Sequence, residues 1–117
     1  MKRIAFALAL AAPCAFLAGP AQADKGGACH FHGSTPAKEE TVLTCAAQRK
    51  DSLASSGKIE ASWKNVKHEK VEQVDGKKGR EWKVTFRNPS AADKDKQVLY
   101  VFLSLPGNVL AANFTGK

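Results

Sequence analysis

Glu81-Trp82-Lys83-Val84-Thr85-Phe86-Arg87-Asn88 and Val98-Leu99-Tyr100-Val101-Phe102-Leu103-Ser104-Leu105 decide the fold class. In the first run Trp82, Val84 and Phe86 alternate with Lys83, Thr85 and Arg87, the period of a strand buried on one face. The second run is apolar on both faces and suits a central strand. Upstream, His68 to Val74 alternates weakly and meets Asp75-Gly76-Lys77-Lys78-Gly79, a hairpin signal. Asn88-Pro89 opens a charged loop that runs through Lys96, and Pro106-Gly107-Asn108 turns the chain into Val109 to Phe114. Strands that follow one another through turns and one short loop predict an antiparallel four-stranded meander.

Before the strands comes one helical pattern. Thr35 followed by Pro36 reads as an N-cap with proline in the first turn, and Glu39 and Glu40 suit the positive end of a helix dipole. Gly57 marks the stop, which places the helix end near Ser56. At 100° per residue, Val42, Leu43, Ala46, Ala47, Leu53 and Ala54 fall on one arc, interrupted by Lys50, with Cys45 on its flank beside Arg49. Ile59 and Trp63 read as anchors of an irregular connection. The expected fold is α+β, a single domain over residues 36–117 in which the helix covers one face of the sheet. Asp24 to Thr35 lacks apolar periodicity and reads as an extended arm.

Residues 1–23 read as a secretory signal: Lys2 and Arg3, an apolar run from Ile4 to Leu17 broken by Pro13, then the small-x-small site Ala21-Gln22-Ala23. A retained membrane helix needs about 20 uninterrupted apolar residues, and Pro13, Gly19 and Pro20 interrupt this one. Cys14, following Pro13 in mid-run, does not suit a lipoprotein anchor. Cleavage after Ala23 removes Lys2, Arg3 and Cys14 from a chain of 117 residues with 18 basic and 11 acidic side chains and three cysteines. The mature chain then has 94 residues, 16 basic and 11 acidic side chains, and one cysteine pair. The expected product is soluble and periplasmic, without stable membrane insertion. Its lysines are scattered, and the basic tip at Lys77, Lys78 and Arg80 has no interleaved aromatics, which argues against a nucleic-acid partner.

The strand segments Glu81 to Phe86 and Leu99 to Leu105, together with Ala111-Ala112-Asn113-Phe114-Thr115-Gly116, resemble an uncharacterised family of small exported bacterial proteins. That family carries a short histidine-containing segment after its signal peptide, the place held here by Cys29-His30-Phe31-His32-Gly33. More loosely, a helix followed by a meander is similar to the PepSY-like arrangement. The resemblance implies a bacterial envelope setting and brings no activity with it.

Cys29-His30-Phe31-His32 is the one concentrated chemical motif. A thiol and two imidazoles are soft or borderline ligands, suited to copper, zinc or nickel. In an extended segment His30 and His32 project to one side and Cys29 and Phe31 to the other. Phe31 would then pack on the domain while Cys29 meets Cys45. Two chemistries are open to that cysteine pair. A disulfide would pin the arm and leave the imidazoles as a smaller site, completed by His68 or a carboxylate. Two thiolates would join His30 and His32 in a four-ligand site for zinc or copper(I). An oxidising compartment favours the bridge. His68 by itself reads as a surface residue.

No G-x-S-x-G, H-E-x-x-H, Walker or C-x-x-C sequence is present, and Asn113-Phe114-Thr115 matches a glycosylation sequon only inside an expected strand. The sequence therefore points to a non-catalytic periplasmic protein. It holds a transition-metal ion, copper or zinc, at Cys29, His30, His32 and Cys45 for sequestration or handover. The alternative is an interaction module for an envelope protein, with a purely structural Cys29–Cys45 disulfide.

Overall fold

A computed structural model describes residues 29–117; the expected signal segment and the first residues of the arm, up to 28, lie outside it. One helix, α1 (Glu39–Ser55), precedes four strands: β1 (His68–Gly76), β2 (Gly79–Arg87), β3 (Val98–Ser104) and β4 (Val109–Asn113). Each strand pairs antiparallel with its sequence neighbour, giving the sheet order β1-β2-β3-β4. The fold is the expected α+β layer, with α1 packed on one face of the meander.

The sheet face under α1 is built by period-two alternation. Trp82, Val84 and Phe86 of β2 face the helix beside Leu99, Val101 and Leu103 of β3, and Val42, Cys45, Ala46 and Ala54 of α1 close over them. The opposite face carries Lys83, Thr85, Tyr100 and Phe102, placed there by the pairings of Lys83 with Phe102 and of Thr85 with Tyr100. Tyr100 and Phe102, which the apolar run offered to the core, thus lie on the face away from the helix. Val98 to Leu105 is apolar on both sides, so only the neighbouring strands decide which side is covered.

Three further features depart from sequence expectation. The helix begins at Glu39, with Lys38 at the N-cap making no side-chain cap bond, instead of at Thr35-Pro36. Ala37 explains the delay, because its N–H donates to the Leu105 carbonyl (2.7 Å) and holds this stretch extended against the end of β3. At the other end the expectation stands. Gly57 adopts φ 81°, its N–H donates to the Ala54 carbonyl, and the Lys58 N–H reaches the Leu53 carbonyl.

Lys50 does not interrupt the buried arc; it belongs to it, with only 2% of its surface exposed. Its ammonium donates to the carbonyls of Trp63 (2.7 Å) and Lys64 (3.2 Å) and to the Asp51 carboxylate (2.7 Å). All three donors are thereby used, and the head also lies 5.6 Å from the Phe86 ring centroid. The carbonyls belong to the one-turn 3-10 helix Ala61–Asn65, which carries the buried Trp63 into the core. Cys45, the third departure, is not outside the buried arc but part of it, 2% exposed under the arm.

Candidate functional site

The arm that carries the Cys-His-Phe-His motif is fixed at several points along its length. Cys29 is bonded to Cys45 across 16 residues of sequence, with their Cα atoms 5.6 Å apart. At Phe31 the backbone meets Asn108 in the β3–β4 turn. The Phe31 N–H donates to Asn108 Oδ1 (2.7 Å) while Asn108 Nδ2 donates to the Phe31 carbonyl (2.8 Å). One side-chain amide therefore does the work of a neighbouring strand. The Phe31 ring packs against the hydrophobic core, close over Gly107. The Ala37 bond to Leu105 completes the fastening.

With Cys29 and Phe31 turned inward, His30 and His32 both point to solvent. Their ring centroids lie 4.8 Å apart, edge to face. The alternation expected from an extended segment is the one observed, and its cause is visible. Residue 29 is held by the bridge and residue 31 by Asn108, so the intervening and following side chains have only the outer side left.

The bridge settles which of the two cysteine chemistries the structure contains. Sulfurs bonded to each other offer no thiolate to an ion, so the four-ligand set of Cys29, His30, His32 and Cys45 is not assembled. Nor does His68 complete the site. It stands exposed at the start of β1, and no group of three or more histidine, cysteine, aspartate or glutamate side chains is gathered for a metal among the described residues. Beside the bridge runs an open groove lined by His30, Gln48, Arg49, Ser52 and Asn108. Two residues with a large part in this arrangement escaped the sequence reading. Asn108 was visible only as a turn residue, since its partner lies 77 positions away. Lys50, which holds the connection behind the helix, read as a flaw in an apolar stripe.

The family model for a family of unknown function (DUF6488) matches residues 1–117. The chain belongs to this family. The match takes in the arm, the helix and the whole sheet of this DUF6488 member. No curated protein and no solved structure matches the chain. Among the described residues no helix is long and apolar enough to cross a membrane.

Proposed function

We propose that this DUF6488 protein is a non-catalytic, exported binding protein of the bacterial envelope that takes a transition-metal ion, copper(II) or zinc, on His30 and His32. The single observation that carries the reading is the separation of the two rings. With metal–nitrogen distances of about 2.0–2.1 Å, two imidazoles on one ion at about 90–109° have ring centroids about 4.5–5.2 Å apart. His30 and His32 stand at 4.8 Å. Both rings are exposed, so aiming a nitrogen of each at one ion needs side-chain rotation alone.

Two protein nitrogens leave the remaining positions of the ion to water or to donors from another molecule. That suits handover better than storage. The disulfide serves the site by holding its backbone. Calorimetric titration of the mature protein with copper(II) and with zinc gives saturable binding that weakens about tenfold or more in the H30A/H32A variant. Equal affinity in the two proteins removes the metal reading.

A second reading rests on the bridge. If Cys29–Cys45 serves only to shape a surface for an envelope protein, crosslinking to that partner survives H30A/H32A and is lost in C29A/C45A.

A further inference from the structure

The helix covers one face of the sheet and leaves the other open, and the open face is chemically uneven. Toward β4 it is apolar. Leu110 is the extra residue where the register shifts between Phe102 and Leu103, and it is 54% exposed beside Ala111 and Phe102. These three and Val74 floor a groove whose rim carries Lys77, Lys78 and Lys117. Toward β1 the face is polar, a hollow lined by Thr85, Tyr100, Lys70 and Arg87. Lys83 borders both.

Two groups at this junction lack the partners their chemistry calls for. Thr85 is 5% exposed, and its Oγ1 has no hydrogen-bond partner among the described residues. A buried hydroxyl is unfavourable in that condition. The Lys83 ammonium lies 4.8 Å from the Tyr100 ring centroid and 5.9 Å from that of Phe102. Lys70 pairs with Glu72 and Arg87 with Glu69, while Lys77, Lys78 and Lys117 on the rim make no ion pair among the described residues. Lys83 makes no ion pair among the described residues.

We propose that the open face binds a carboxylate carried on an apolar chain. The carboxylate accepts hydrogen bonds from the Lys83 ammonium and, once the long side chains lining the hollow move off it, from the enclosed Thr85 hydroxyl, and the chain lies along Phe102 and Leu110. Lys83 and Thr85 sit two residues apart on one strand and project to the same face, so the two oxygens of a carboxylate span them. The Lys83 ammonium, with Lys77, Lys78 and Lys117 on the rim, makes the groove attractive to an anionic head. Glu69 and Glu72 at the same hollow are held by Arg87 and Lys70. The site shares no residue with the histidine pair.

The test uses dodecanoate below its micelle concentration, with the amide spectrum and calorimetry of the mature protein as readouts. Dodecanoate saturates a site whose shifts centre on Lys83, Thr85 and Phe102, with the same affinity in H30A/H32A. K83Q weakens it about tenfold or more and T85V by about threefold, the range expected for losing a charge-assisted and a neutral hydrogen bond. L110S weakens it as well, and provides a readout independent of the charge. Equal binding of dodecyltrimethylammonium, equal binding of butyrate, unchanged affinity in K83Q, or absence of saturable binding each overturns the proposal.

Discussion

Lys50 shows how far a residue's type can mislead about its place. On a helical wheel it is a charge inside an apolar stripe, and the natural inference is that the stripe breaks there. In the fold Val42, Ala46, Lys50 and Ala54 form one i, i+4 ridge that is buried throughout. The stem fills core volume and the head ends on main-chain carbonyls 13 and 14 residues further on. Backbone carbonyls carry no sequence signature, so the partners that make this burial tolerable were invisible beforehand. Substitution measures what they contribute. Lys50→Met keeps most of the volume and strips the ammonium from the Trp63 and Lys64 carbonyls, leaving the former only the Val66 N–H, and lowers unfolding stability in urea by about 1–3 kcal/mol. Lys50→Ala adds a cavity and lowers it by about 2–4 kcal/mol. If Lys50→Met instead equals or exceeds the wild type, the carbonyl contacts contribute nothing net.

Among the elements, strands and turns were legible and the start of the helix was not. The strands follow from local alternation and from punctuation by glycine and proline, which act within a few residues. Thr35-Pro36 has the chemistry of a helix start, but Ala37 is held by the end of β3, a contact 68 positions along the chain. A tertiary hydrogen bond thus overrides a local signal. The arm repeats the lesson in reverse. Alternation alone correctly placed Cys29 and Phe31 inward and the two imidazoles outward, whereas the pairing of Cys29 with Cys45 remained a choice between two chemistries until the fold was known.

Two predictions belong at the scale of elements. The bridge closes a loop that contains the first turns of α1, and C29A/C45A loses about 3 kcal/mol of unfolding stability by the loop-entropy estimate. Reductant applied to the wild type reproduces that loss, and no difference in urea midpoint between oxidised and reduced protein contradicts it. In the β3–β4 turn, Gly107 has φ 110° and a Cβ there would stand 3.0 Å from Phe31 Cε2. Gly107→Ala is therefore strained in the backbone and crowded against the arm, and lowers stability by about 1–3 kcal/mol. Faster hydrogen exchange at the Phe31 amide accompanies it.

For the whole molecule, two layers mean two unlike sheet faces, and the faces answer differently to truncation. Leu103 is fully enclosed beneath α1, while Leu110 stands on the open side. Leu103→Ala lowers stability by about 2–5 kcal/mol, and Leu110→Ala changes it by no more than about 0.5 kcal/mol. Comparable losses at both positions in thermal unfolding would mean that the open face is covered in solution. The alternation in β2 told of one buried face without telling what covers it, and the doubly apolar β3 told of neither. The helical pattern upstream supplied the cover, and the layer it led one to expect is the one observed, with α1 on the Trp82, Val84 and Phe86 side.

The clasp between Phe31 and Asn108 also orders events in time. A ribosome delivers the arm 77 residues before Asn108 in the β3–β4 turn, so until that turn emerges the arm has no amide to grip. Cys29 and Cys45, only 16 positions apart, emerge together, whereas the clasp spans 77. The newborn chain therefore carries its histidines on a strap that lacks this clasp, and the β3–β4 hairpin is what buckles it.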